Sequence, residues 1–234
     1  MFLLRHIQQI ELTSRCNLRC RYCPSPHLKR AKQDMSVETF ERALHWVRFF
    51  VSQRTQGELD LGGIGEPTLH PEFVRFLYLA REAIGFNGVL VFPTNGLLMT
   101  DELAREIAGA RPRAYVSLHR PERAGLAVEA LRKVGLLAGV SADPSIAATN
   151  WAGQVKWHVS AQPGRQCGWV RNGRAFVMST GHVSRCGFDA SGIGVFGHVD
   201  DDLSLLATSP YELCRTCDQD VGVPIPDAVQ AAVA

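Results

Sequence analysis

The chain has 234 residues, with 25 Lys plus Arg set against 23 Asp plus Glu for a formal charge of +2. Hydrophobic residues make up 46% and charged ones 21%, a composition that excludes wholesale disorder, and the near balance of charge argues against nucleic acid or an anionic membrane as partner. No apolar run reaches the length of a membrane span, and Met1–Ile10 carries Arg5 and His6 within too short an apolar stretch for a signal peptide, so a cytoplasmic protein is expected.

Ile7–Thr13 reads as an opening strand that leads into a loop bearing Cys16, Cys20 and Cys23. Ser36 is placed to cap a helix, with Glu38 in its first turn and Phe40, Leu44, Val47 and Val51 along one side. Short apolar or alternating runs at Glu58–Gly62, Val89–Pro93, Ala114–Leu118, Leu137–Ser141 and Val155–Ser160 predict further strands. Between them, helices are expected after Pro71 (Phe73, Phe76, Leu77, Ala80, Ile84), after Thr100 as cap, and after Pro121 (Leu126, Ala130, Leu131, Val134). Ala142–Gln154, with Pro144 and many small residues, predicts no crossover helix.

This βα alternation predicts an α/β fold of parallel strands, either a partial open barrel or a doubly wound sheet, with too few strands for a full eightfold barrel. Beyond Pro163-Gly164 the pattern changes to short strands and glycines. Arg174–Met178 and His182–Arg185 flank Ser179-Thr180-Gly181 as a hairpin, and Tyr211–Arg215 suits one helical turn carrying Cys214. The expected division is therefore 1–163, 164–220 and a tail at 221–234.

Seven cysteines divide as three plus four. Without an export signal, close-spaced cysteines point to metal or redox chemistry rather than disulfides. Three thiolates within Cys16-Asn17-Leu18-Arg19-Cys20-Arg21-Tyr22-Cys23 can wrap one face of an iron–sulfur cube and leave one iron without a protein ligand. A zinc site with His27 as fourth ligand is the alternative. Cys167, Cys186, Cys214 and Cys217 must be brought together by tertiary folding, and from spacing alone four thiolates suit structural zinc and an iron–sulfur cluster equally.

Cys-x3-Cys-x2-Cys with an aromatic before the last cysteine resembles the signature of the radical S-adenosylmethionine (SAM) enzymes. Gly62-Gly63-Ile64-Gly65-Glu66-Pro67 is similar to that family's glycine–glutamate motif, with Thr94-Asn95-Gly96 after the third strand and Ser117 ending the fourth. The resemblance covers about residues 7 to 160 and implies a partial (β/α)6 barrel. It also implies that Cys16, Cys20 and Cys23 hold a [4Fe–4S] cluster whose open iron binds SAM, with the cofactor contacted by Tyr22, Gly62, Gly63, Gly65, Glu66, Asn95 and Ser117. A hairpin between two cysteines followed by a terminal Cys-x2-Cys is similar to the family's twitch domain, which implies an auxiliary [4Fe–4S] cluster on Cys167, Cys186, Cys214 and Cys217.

The resemblance implies a 5′-deoxyadenosyl radical that takes a hydrogen atom from substrate, with a reductase such as flavodoxin or ferredoxin as electron donor. The compact barrel-plus-twitch layout is similar to that of the 2-deoxy-scyllo-inosamine dehydrogenases, which oxidise a secondary alcohol. The first cysteine loop begins at residue 16, so no leading peptide-recognition domain is expected. The expected substrate is thus a small sugar-, cyclitol- or nucleoside-like molecule, and the expected reaction a dehydrogenation with the second cluster as electron acceptor. Two rivals are a radical SAM maturase of ribosomal peptides and a non-enzymatic iron–sulfur or zinc regulator. His119, Arg120 and His158 near strand ends are the candidates for the substrate's proton acceptor. Trp151, Trp157 and Trp169 flank the junction of the two regions. Arg15, Arg19, Arg21, Lys29, Arg30 and Lys32 form a basic stretch that would balance an anionic cluster.

Overall fold

The computed structural model describes residues 1–141, 151–155 and 167–217. Its elements run β1 (Phe2–Leu3), β2 (His6–Ile10), α1 (Val37–Ser52), β3 (Glu58–Asp60), α2 (Phe73–Ile84), β4 (Val89–Thr94), α3 (Asp101–Ile107) and β5 (Arg113–Ser117). They continue with α4 (Pro121–Lys133), β6 (Leu137–Ser141), α5 (Gly168–Arg171), β7 (Arg174–Val177), β8 (His182–Ser184), β9 (Val195–His198) and β10 (Ala207–Thr208).

The helix starts follow local chemistry. The Ser36 side chain accepts from the Thr39 N–H at α1, and that of Thr100 accepts from the Leu103 N–H at α3, so each satisfies a donor that has no partner within its helix. One residue of an expected stripe is misplaced. Leu126 is 65% exposed, whereas Ala124, Ala127, Ala130 and Leu131 are buried. With 100° per residue, Leu126 falls on the far side of α4 from Ala124, Ala127 and Leu131. Small residues are needed on the inner side because the Thr94-Asn95-Gly96 loop packs there. A Cβ on Gly96 would stand 2.9 Å from the Ala127 Cβ.

One sheet has the order β6-β5-β4-β3-β2-β7-β8-β9. β2 to β6 are parallel, β7 pairs with β2 in parallel, and β7-β8-β9 are antiparallel. Four helices cross between successive parallel strands, as βαβ units require. Leu59, Leu90, Phe92, Ala114 and Val116 bury one face of the sheet against these helices, so Asp60, Val91, Tyr115 and Ser117 lie on the other face. The result is an α/β fold with a partial barrel. Most of the strand expected at Val155–Ser160, and the boundary expected after residue 163, lie outside the described residues. Beyond them β7 joins β2, so the cysteine-rich half shares the barrel's sheet.

Asp60 closes β3 with Oδ1 sealed from solvent and, among the described residues, without a hydrogen-bond partner. Burial pushes its carboxyl from the ordinary 3.8 up to about 7, against the Gly62 N–H and helped by Glu58. Because the folded value is raised, the metal-free protein loses stability as pH rises through this interval. The unfolded chain releases the proton near 3.8, and the folded state releases it only near 7. Asp60→Asn should flatten that part of the stability–pH curve, measured by urea midpoints. Curves of equal slope for the variant and the parent would contradict the assignment.

Candidate functional site: two cysteine-lined cavities

The chain between β2 and α1 is tied back on itself. Ser14 N–H donates to the Gln33 carbonyl at 3.0 Å, Met35 N–H to the Leu12 carbonyl at 2.8 Å, and Thr13 Oγ1 to Asp34 Oδ1 at 2.6 Å. Residues 16–32 therefore form a closed loop at the carboxyl end of β2. Arg15 from the basic stretch pairs with Asp34 at 3.2 Å, and Arg30 with Glu11 at 2.7 Å.

Inside this loop Cys16, Cys20 and Cys23 line a cavity of ≈ 210 Å³ together with Tyr22, Gly63, Gly65, Glu66, Thr94, Asn95, Ser117, His119 and Trp151. Backbone N–H groups of Leu18 and Ser25 point at the Cys16 and Cys23 sulfurs, at 3.4 and 3.5 Å. Burial holds the Cys16 thiol above its usual range and pushes Cys23 up to about 11. A bound metal reverses this by deprotonating the thiol outright. Three thiols on one side of a cavity that also holds polar groups fit a cluster with one iron left for a small ligand.

The glycine–glutamate motif docks onto the chain just before Cys16. Glu66 N–H donates to the Arg15 carbonyl at 2.8 Å. A Cβ on Gly65 would stand 2.2 Å from the Thr13 oxygen, and one on Gly63 would strike Glu11 at 2.7 Å. One on Gly62 would strike Pro93 at 2.6 Å, and Gly62 itself does not line the cavity. These glycines thus let the motif lie flat on neighbouring strands.

Glu66 is buried. Its Oε1 accepts from Thr68 N–H and from the Thr68 and Thr94 hydroxyls, and its Oε2 accepts from Asn95 N–H at 2.7 Å. Burial raises its carboxyl value, and the Asn95, Thr68 and Thr94 donors oppose that rise. Oε1 is thereby filled, while Oε2 retains room for one further donor. Asn95 also donates through Nδ2 to Asn17 Oδ1 at 2.7 Å, joining the third strand's loop to the cysteine loop.

His119 lies in the same cavity. Its ring stacks on Tyr22, bonds the Tyr22 hydroxyl through Nδ1 and stands 3.8 Å from Cys20 Sγ. Burial, then the neighbouring Arg120, hold it below the ordinary histidine range. Arg120 is exposed and lines a separate surface groove with Leu97 and Arg123. His158 and Trp157 lie outside the described residues.

A second cavity of ≈ 170 Å³ is lined by Cys167, Cys186, Cys214 and Cys217, with Trp169, Phe188 and Tyr211. Among the described residues no carboxylate or imidazole joins these thiols in its lining. N–H groups of Phe188 and Tyr211 point at the Cys186 and Cys214 sulfurs, at 3.3 and 3.5 Å. Burial pushes the Cys186 thiol up to about 12. The loop around Cys186 is organised by Asp189, which is buried and accepts from Ser184 Oγ and the N–H groups of Gly192, Ile193 and Gly194.

Residues 151–155 join the two cavities. Trp151 Nε1 donates to the Tyr22 carbonyl at 3.1 Å, its ring meets Phe188 edge-on at 5.3 Å, and Gln154 Nε2 donates to the Phe188 carbonyl at 2.6 Å. The Thr216 hydroxyl donates to the Ala152 carbonyl at 2.7 Å. Trp151 and Ala152 both have positive φ, at 50° and 55°, a conformation costly for side-chain-bearing residues and held here by these bonds. Glu11, Asp189, Phe188 and Tyr211 were not singled out from sequence. Glu11 alone carried a signal, a charge between Ile10 and Leu12 in an apolar run.

The fit at Gly65 is the sharpest constraint on this geometry. Gly65→Ala drives a methyl group into two backbone carbonyls. It should cost about 1–3 kcal/mol of stability and abolish measurable SAM binding by equilibrium dialysis. Retention of both properties would contradict the packing described.

The family model of the Radical SAM superfamily matches residues 10–160. The tungsten-containing aldehyde ferredoxin oxidoreductase cofactor-modifying protein of Pyrococcus furiosus is 39% identical over 99 residues, which is 42% of this chain and 26% of that protein. The match thus spans about a quarter of that relative's length. Among solved structures, BtrN in complex with AdoMet and 2-DOIA has a TM-score of 0.67 at 20% identity, over 87% of this chain and 85% of that one. The protein anSMEcpe with bound AdoMet has a TM-score of 0.59 at 16% identity, over 90% and 86%. These structural likenesses establish a common fold, and the family match takes in the three-cysteine loop, the glycine–glutamate motif and the strands that carry them. The chain belongs to the radical SAM superfamily of enzymes.

Proposed function

We propose that this enzyme dehydrogenates a small hydroxylated molecule of sugar, cyclitol or nucleoside type, using a second iron–sulfur cluster as the acceptor of the substrate's electron. Membership of the superfamily implies SAM and one [4Fe–4S] cluster. The observation that carries the finer reading is the second cavity: four thiols around one closed space, joined to the first cavity through Trp151 and Phe188. A space of ≈ 170 Å³ suits a polynuclear cluster better than one zinc ion.

When bound, SAM and the two clusters would supply one-electron chemistry: removal of a hydrogen atom from a substrate C–H bond and acceptance of the electron that remains. The chain's own part is holding and shielding. Cys16, Cys20 and Cys23 hold the first cluster, and Cys167, Cys186, Cys214 and Cys217 the second. Gly63 and Gly65 shape the floor for the cofactor, with Gly62 packing beneath. Glu66 Oε2 takes its ammonium, and Tyr22, Asn95 and Ser117 flank it. Trp151 walls the space and excludes water. His119 is the described candidate for taking the hydroxyl proton, because Arg120 faces another groove.

A small polar substrate is supported by the first cavity's own lining, where Thr94, Asn95, Ser117 and His119 offer hydrogen-bonding groups. BtrN, whose complex holds 2-DOIA, shares the fold. On this reading residues 1–163 form the barrel, 164–220 the auxiliary-cluster unit and 221–234 a tail. The enzyme works in the cytoplasm with a flavodoxin- or ferredoxin-type donor. Among the described residues no helix is long and apolar enough to cross a membrane.

Anaerobic reconstitution should yield about eight iron atoms per chain and 5′-deoxyadenosine from SAM with dithionite. Removing the three thiols at 16, 20 and 23 should halve the iron and abolish 5′-deoxyadenosine formation. Aminocyclitol and nucleoside substrates should return products lacking one hydrogen pair. Zinc in place of the second half of the iron would overturn the acceptor role, and turnover of a leader-bearing peptide alone would overturn the substrate class.

A further inference from the structure

Tyr211 has no part in the roles assigned so far, yet it lines the four-cysteine cavity and is 5% exposed. Its hydroxyl makes no hydrogen bond of normal geometry within the described residues, and it lies beside the Cys186 sulfur. A buried phenol normally finds a hydrogen-bond partner, and the acceptor this one faces is the sulfur of a cysteine that lines the cavity.

The ring is held there by construction. A Cβ on Gly194 would stand 2.4 Å from Tyr211 Cε2 and 3.0 Å from Oη, so only glycine lets the ring lie against the turn before β9. Gly194 is fixed in turn by its 2.7 Å bond to Asp189 Oδ2. The same tyrosine turns its backbone N–H to Cys214 Sγ at 3.5 Å. Backbone and side chain of one residue thus address two of the four thiols.

We propose that the Tyr211 hydroxyl donates a hydrogen bond to a sulfur of the cluster held by Cys167, Cys186, Cys214 and Cys217, and so raises that cluster's reduction potential. This rests on the reading of the second cavity as an iron–sulfur site. A donor aimed at sulfur stabilises the electron that the cluster gains, because reduction adds negative charge there. That is the tuning an electron acceptor needs. Tyr211 acts here as a positioning and tuning residue and does not touch the reacting atoms.

The test uses reconstituted full-length protein with the thiols at 16, 20 and 23 replaced by alanine, so that only the second cluster gives a signal. Tyr211→Phe keeps the ring and removes the donor. Iron content should stay the same, while the reduction equilibrium should fall on the order of tenfold, which is about 59 mV for one electron. The iron–sulfur stretching bands of the parent should shift in deuterated solvent, and those of Y211F should not. In the metal-free protein Y211F should keep the parent's urea midpoint, since it loses at most one weak contact to the Cys186 sulfur.

An unchanged potential at full iron content overturns the inference. Zinc or no metal in the parent overturns the reading beneath it. Should Y211F lose iron, 3-fluorotyrosine at position 211 keeps the ring and strengthens the donor. An upward shift then supports the proposal, and an unmoved potential overturns it.

Discussion

The arrangement of both cavities depends on one buried ion pair. Glu11, at 0% exposure, extends from the end of β2 and takes the Arg30 guanidinium at 2.7 Å. The same carboxylate accepts from Ile64 N–H at 3.2 Å and from the N–H and hydroxyl of Ser179 at 3.0 and 2.9 Å. Arg30 reaches on to the Ala190 carbonyl at 2.7 Å. The cysteine loop, the glycine–glutamate motif, the β7–β8 hairpin and the loop beyond Cys186 therefore meet at two side chains. A buried charge pair adds little net stability, but breaking one leaves a charge uncompensated. Its contribution here is registry: each segment has one place where its polar groups are satisfied.

From that registry comes the relation between the two cavities. Arg30 lies in the loop of the first three cysteines, and Ala190 follows Cys186 by four residues, so the ion pair sets one side of the gap. The segment 151–155 sets the other, through Tyr22, Phe188 and Thr216. Trp151 stands between, its ring against Phe188. Two left-handed residues in succession are tolerated because these bonds over-determine them. The wall that Trp151 gives the first cavity is thus held in place partly by Phe188 and Thr216, which flank the second set of thiols.

Much of this was legible in the sequence. Ser36 and Thr100 were readable as caps because capping is a bond between residues three apart, and the hairpin at Ser179-Thr180-Gly181 because turn chemistry is equally local. The three-cysteine loop was readable from spacing. Leu126 misled because hydrophobicity alone does not identify which side of α4 packs; the alanines do, and only the close approach of Gly96 explains them. The pairing of β7 with β2 joins residues far apart in the chain and leaves no local trace. Glu11 shows the same limit. In sequence it interrupts an apolar strand, and its partners at 30, 64 and 179 emerge only once the chain has folded.

The central claim is that three sulfurs near the amino terminus hold a cluster with one iron open to the amino and carboxylate groups of SAM, beside Glu66. Electron–nuclear double resonance on the reduced enzyme, with SAM carrying a nitrogen isotope label in its amino group, tests this most directly. A nitrogen coupling of the size of a directly bound ligand is expected, lost when Cys16, Cys20 and Cys23 are replaced. SAM bound at full occupancy with no coupling to any cluster would contradict it.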